Sequence, residues 1–125
     1  MEKYTVNKAV QYISERQNEV NPQYRMKYHV MPPVGWMNDP NGFCFYRREY
    51  HLYYQFHPYD SVWGPMYWGH AKSCDLLHWE TMPLAMAPDQ PFDSVGCFSG
   101  SGLEDAGKLV ILYTGCYEES GVLLQ

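Results

Sequence analysis

The apolar positions change period near residue 42. Upstream, Val6, Ala9, Val10 and Ile13 fall at i, i+3, i+4 and i+7, one stripe of a helical wheel, with Lys8, Glu15 and Arg16 off it. The spacing predicts a short helix, stopped by Asn21-Pro22 because a proline disfavours helix at the residue before it. Downstream the chain reads as short, aromatic-rich strands. Residues 42–46 and 50–56 flank Arg47-Arg48-Glu49 and predict a hairpin. Residues 66–73 and 79–82 predict two more strands around a polar turn at Asp75. The three prolines of residues 83–91 predict a loop. Residues 97–102 and 108–114 then flank Glu104-Asp105-Ala106-Gly107, a second hairpin, and residues 121–125 begin another strand.

The strands are organised as a unit that starts again. Tyr50-His51-Leu52-Tyr53-Tyr54-Gln55 and Leu109-Val110-Ile111-Leu112-Tyr113-Thr114 are both apolar strands that follow a charged hairpin turn. A unit of about 50 residues with four antiparallel strands has the dimension of a propeller blade. A single antiparallel sandwich fits the same pattern, and strand pattern alone does not separate the two.

At 125 residues, 46% of them apolar and 18% charged, the chain has enough apolar area for a core and is not a disordered acidic segment. That length is one domain or part of a larger one. No apolar run is long enough to span a bilayer, and the opening MEKYTVNKAV has no continuous apolar stretch of the kind a secretory leader needs. Cys44, Cys74, Cys97 and Cys116 form no C-x-x-C pair and the histidines follow no zinc spacing, so reduced thiols in a cytoplasmic protein are expected. The net charge of −5 hides a gradient: residues 1–31 carry five Lys/Arg against three acids, the remainder four against eleven. An acidic body repels phosphate backbones, so nucleic acid is not an expected partner and a neutral ligand is. With 17% aromatic residues, the body is rich in flat faces that suit either a core or a sugar ring.

Two motifs invite a chemical reading. The run from Gly102 to Lys108 matches most of a phosphate-binding loop, but Leu109 stands where a Ser or Thr must reach magnesium, and the run joins two strands. It is a hairpin turn. Trp36-Met37-Asn38-Asp39-Pro40-Asn41-Gly42 contains the residues of an ordinary tight turn. However, Pro40 forces Asp39 to be extended and so fixes the direction of its carboxylate, beside an aromatic residue. That arrangement suits a glycosidase nucleophile.

The neighbours of that motif carry a resemblance. It is followed in order by Tyr54-Gln55-Phe56-His57-Pro58, Val62-Trp63-Gly64-Pro65, Trp68-Gly69-His70-Ala71-Lys72-Ser73, Asp75-Leu76-Leu77-His78-Trp79, Phe98-Ser99-Gly100-Ser101 and Tyr113-Thr114-Gly115. From about Val20 to Gly115 the chain resembles glycoside hydrolase family 32, the invertases and fructan hydrolases. The leader Val20-Asn21-Pro22-Gln23-Tyr24-Arg25, the run from His29 to Gly35, and Trp63-Gly64-Pro65-Met66 resemble its bacterial sucrose-6-phosphate hydrolases. The resemblance implies an all-β fold, the N-terminal portion of a five-bladed β-propeller. Residues 1–31 would be a helix and leader, and residues 32–125 a first blade and an incomplete second one.

The resemblance further implies that Asp39 is the nucleophile of a retaining mechanism on sucrose or its 6-phosphate. It places Trp36, Met37, Asn38, Gln55, Trp63, Phe98 and Ser99 around the sugar. Amides and hydroxyls would meet fructose hydroxyls, and aromatic faces its C–H groups. His57 stands where the family often has Asn, so it is given no sugar contact; His70 and His78 read as structural. No metal or organic cofactor is implied, because carboxylate chemistry suffices. The acid/base Glu of a Glu-Cys motif and the Asp of an Arg-Asp-Pro motif are both absent from the sequence. An N-terminal fragment, inactive alone, is therefore expected. A fructan hydrolase or fructosyltransferase of the same fold, and a non-catalytic sugar-binding module, fit the same residues.

Overall fold

The computed structural model describes residues 4–125; residues 1–3, where the segment read for a leader begins, lie outside the described residues. The predicted helix is α1 (Val6–Arg16), opened by Thr5, whose hydroxyl accepts the Lys8 amide at 3.2 Å. Ala9 is fully buried against the first sheet, while Val6 and Ile13 pack at its edge. The helix ends earlier than Asn21-Pro22. It passes into a 3-10 turn, Gln17–Glu19, and Pro22 then opens a second one, Pro22–Tyr24, for which Asn21 accepts the Gln23 amide. Proline suits a first helical position as well as it ends a helix. The leader is strapped down by Arg25, whose guanidinium donates to the carbonyls of Pro32 and Pro33.

Seven strands follow: β1 (Trp36–Tyr46), β2 (Glu49–His57), β3 (Tyr67–Ser73), β4 (Glu80–Met86), β5 (Gly96–Asp105), β6 (Lys108–Glu119) and β7 (Val122–Leu124). They make an antiparallel four-stranded sheet in the order β1-β2-β3-β4 and a second group in the order β5-β6-β7. Both predicted hairpins are present, and the Gly102–Lys108 run is a strand and turn, with Asp105 paired to Lys108 across Ala106-Gly107. Three two-residue turns, at Arg47-Arg48, Ala106-Gly107 and Ser120-Gly121, have positive φ at both positions. This twist matches that of the strands they join.

Two strands run further than their local signals suggest. β4 continues through Pro83, where residues 83–91 predicted a loop. Pro83 is tolerated because β4 is an edge strand and its pairing to β3 is interrupted between Trp68 and His70. β1 begins at Trp36, six residues before the expected start. Pro40 and Gly42 are absorbed by two irregularities in its pairing with β2, and Gly42 takes φ of +52° at the second.

The core has two centres. One, beneath α1, gathers Val34, Tyr54, Phe56, Tyr67, Ala71 and Ala87; the other lies between the sheets, where Tyr53, Trp68 and Cys97 meet Met86, Ile111 and Tyr113. β1 faces β5 across that junction, and Cys97 donates its amide to the Met66 carbonyl at 2.9 Å. Among the described residues, no helix is long and apolar enough to cross a membrane.

Candidate active site

The strand irregularities are what place the chemistry. In the β1–β2 ladder Met37 pairs with Phe56 and Pro40 with Tyr54, so Asn38 and Asp39 together oppose the single residue Gln55. That is a β-bulge, and bulges re-aim side chains. In the β5–β6 ladder Phe98 pairs with Thr114 and Gly100 with Tyr113, which leaves Ser99 as the extra residue of a second bulge. The two bulges meet. The Ser99 hydroxyl lies 3.3 Å from Asp39 Oδ2, on which it donates, and both residues are exposed. A solvent-facing carboxylate with a hydroxyl holding one oxygen keeps its other oxygen free to attack a carbon.

Behind them, three side chains of the first sheet grip the strand that presents Ser99. Gln55, buried, donates Nε2 to the Cys97 carbonyl at 3.0 Å. The Trp68 indole N–H donates to the same carbonyl at 3.2 Å and to that of Phe98 at 3.1 Å. Asn41, also buried, accepts the Gly100 amide at 3.0 Å and donates to the Asp39 carbonyl at 3.2 Å. These bonds satisfy main-chain groups that would be costly to leave unpaired inside the junction.

The remaining predicted positions surround this pair at different depths. Asn38 is exposed next to Asp39, and Trp36 is half-buried opposite His57. Met37 packs into the core beneath α1. Phe98 is half-buried, its ring lying where a side chain on Gly96 would be. Trp63 is 57% exposed on the β2–β3 loop. His57 anchors that loop: its Nδ1 lies 3.1 Å from the Pro65 carbonyl, and its ring lies so close to Gly64 that a Cβ there would sit 2.6 Å from it.

His78 and His70 both sit in structural networks. Asp75 accepts the amides of Leu77 and His78, and its Oδ2 lies 2.7 Å from His78 Nδ1; these bonds, His78's foremost, hold its carboxyl well below the usual carboxylate range. His70 Nε2 lies 3.0 Å from His51 Nδ1, with the Tyr53 ring stacked on His70 at 4.3 Å. Burial, then the neighbouring His51 and Lys72, lowers the His70 pKa to about 4.

Sequence reasoning passed over Asn41, Trp68 and Asp93 as site-building residues. Asn41 and Trp68 lay inside quoted motifs, but nothing local told a strand-bridging amide from a turn former. Asp93 is 1% exposed, and its carboxylate takes the Gln90 amide at 2.8 Å and the Tyr113 hydroxyl at 2.8 Å. The same carboxylate helps burial push the Cys97 thiol up. A polar stretch between two prolines and a strand gives no sign of a buried acid. Among the described residues, no group of three His, Cys, Asp or Glu is placed to hold a metal ion.

Residues 29–123 match the model of the glycosyl hydrolases family 32 N-terminal domain, a β-propeller. A sucrose-6-phosphate hydrolase of Zymomonas mobilis is 59% identical over 88 residues, which are 70% of this chain and 17% of that protein. Among solved structures, the Bombyx mori GH32 β-fructofuranosidase superposes with a TM-score of 0.84 at 47% identity, over 94% of this chain and 25% of that one. A sucrose-6-phosphate hydrolase from Lactobacillus gasseri gives 0.81 at 40% identity, over 89% and 23%. The chain thus spans about a fifth of the length of such relatives, and its two sheets correspond to about a quarter of the solved enzymes. The propeller alternative is settled over the sandwich, and with this match in sequence and in fold the chain belongs to glycosyl hydrolase family 32.

Proposed function

We propose that the protein carrying this chain hydrolyses the fructosyl bond of sucrose or sucrose 6-phosphate by a retaining mechanism with Asp39 as nucleophile. The observation that carries this reading is the Asp39–Ser99 contact: a bulge-borne, solvent-facing carboxylate steadied through one oxygen at 3.3 Å. Asp39 attacks the anomeric carbon of the fructosyl unit, and the bond from that carbon to the glucose oxygen breaks. The leaving oxygen takes a proton from an acid supplied outside residues 1–125. Water then attacks the fructosyl-enzyme ester, releasing fructose with its configuration retained.

The other residues divide by depth. Asn38 and Ser99 offer polar groups to the sugar hydroxyls. Trp36, Trp63 and Phe98 offer rings to its C–H faces. Gln55, whose Nε2 is held by the Cys97 carbonyl, keeps Oε1 to accept a hydroxyl, and Met37 supports the floor from the core side. The four unpaired cysteines suit a reducing compartment, the cytoplasm.

Asp39→Asn in the full-length protein tests the reading. The change is nearly isosteric but removes the attacking charge, so turnover of sucrose and of sucrose 6-phosphate should fall by several powers of ten with the thermal midpoint unchanged. Retention of more than about a hundredth of wild-type rate removes Asp39 from the nucleophile role. Mass spectrometry of the quenched wild-type enzyme should find a fructosyl ester on the peptide that contains Asp39.

A further inference from the structure

The nucleophile and its hydroxyl partner belong to different sheets, and Asp39 and Ser99 are 60 residues apart in the chain. Something must hold the two bulges in register with each other. A bulge takes main-chain groups out of the ladder, so each needs a partner from elsewhere. Asn41 supplies one on both sides of the junction. Its Nδ2 donates to the carbonyl of Asp39 itself, at 3.2 Å, and its Oδ1 accepts the amide of Gly100, the residue after Ser99, at 3.0 Å. The residue is 3% exposed, and the nitrogen and the oxygen of its side chain are both engaged with main chain, so it holds strands rather than a sugar.

Resting on the reading of Asp39 as nucleophile, we propose that Asn41 is a positioning residue that fixes the Asp39 carboxylate against the Ser99 hydroxyl by tying the two bulged strands together. The neighbouring bonds leave the clamp little freedom. Gln55 and Trp68 hold the carbonyls of Cys97 and Phe98, so with Asn41 on Gly100 the main chain is gripped on both sides of Ser99. Residue 41 is the one member of this set that also bonds the strand of the nucleophile. Alanine there removes the partner of the Asp39 carbonyl and of the Gly100 amide and frees Asp39 to shift. A displacement of about 1 Å in a reacting group costs on the order of a hundredfold in rate. Aspartate keeps the acceptor for Gly100 but turns an oxygen towards the Asp39 carbonyl, so it breaks only the half that touches the nucleophile.

The test uses the full-length protein with sucrose as substrate and four variants: Asn41→Ala, Asn41→Asp, Asp39→Asn and Ile13→Ala. Ile13 packs on the core beneath α1, away from the junction, and serves as the control for destabilisation alone. Both Asn41 variants should lose about 10- to 100-fold in kcat with KM changed less than about threefold, measured well below the thermal midpoint. Ile13→Ala should lower the midpoint and leave kcat within about twofold. If Asn41→Ala keeps kcat within about twofold, or if Ile13→Ala lowers kcat as much as Asn41→Ala does, the inference is overturned. Asp39→Asn separates the two failures. An inactive Asp39→Asn beside an unimpaired Asn41→Ala refutes only the role of Asn41, whereas an active Asp39→Asn removes the nucleophile on which that role depends.

Discussion

Replacing Trp63 by alanine should cost the protein its grip on the sugar far more than its fold. The residue is 57% exposed, so a little under half of its surface is hidden. Against the roughly 250 Å² that a fully buried Trp hides, that is about 100 Å². Alanine keeps a share of this area, and the unfolded chain already hides another part. At about 25 cal/mol/Å² the stability lost is then on the order of 1–2 kcal/mol. A Trp serving as a core lid would cost about 3–5 kcal/mol. The loop itself should survive, because His57 anchors it through the Pro65 carbonyl and the Gly64 backbone. Denaturant titration of the full-length protein and its Trp63→Ala variant reads the first quantity, and KM for sucrose in the same proteins reads the second. KM should rise at least tenfold. A stability loss near 4 kcal/mol with KM unchanged would refute the reasoning and place Trp63 in the core.

Three further outcomes follow from the same geometry. The His70 pKa, about 4 in the fold against an ordinary 6.5, means that the unfolded chain binds more protons between those values. Its contribution is therefore complete above pH 6.5 and lost as pH falls towards 4, and His70→Gln should flatten the pH dependence of the denaturant midpoint in that window; an unchanged slope counts against it. Arg47 and Arg48 have φ of +49° and +70°, so changing them to Asn-Gly should raise stability by about 1 kcal/mol, less the guanidinium–Tyr46 ring contact at 5.1 Å; a lower thermal midpoint would contradict this. Alone, the 125-residue chain should associate through its exposed Leu103, Leu112, Val122 and Leu123 and should release no glucose from sucrose; sedimentation showing a monodisperse monomer, or Asp39-dependent glucose release, would refute one half or the other.

Much of this protein is legible in its sequence. Local chemistry reaches a few residues along the chain, and it placed α1 and both hairpins, because periodicity and turn residues act at that range; the tight turn that the residues of Trp36–Gly42 also allow is strand β1 instead. The ordered motifs from Trp36 to Gly115 identified the family and singled out Asp39 and Ser99, since residue identity in the right order is itself sequence information. It could not show β4 passing through Pro83, which depends on β4 lying at a sheet edge with its pairing to β3 interrupted. Nor could it show that Asn38-Asp39 and Ser99 are both bulges, because a bulge is defined by the count of residues on the partner strand. In the sequence Asn41 looked like a turn former, Gln55 a sugar contact, and Trp68 was one residue of a motif. Only when the second sheet packs on the first do their polar groups find the main chain of residues 97–100, and the burial of that junction requires those groups to be paired.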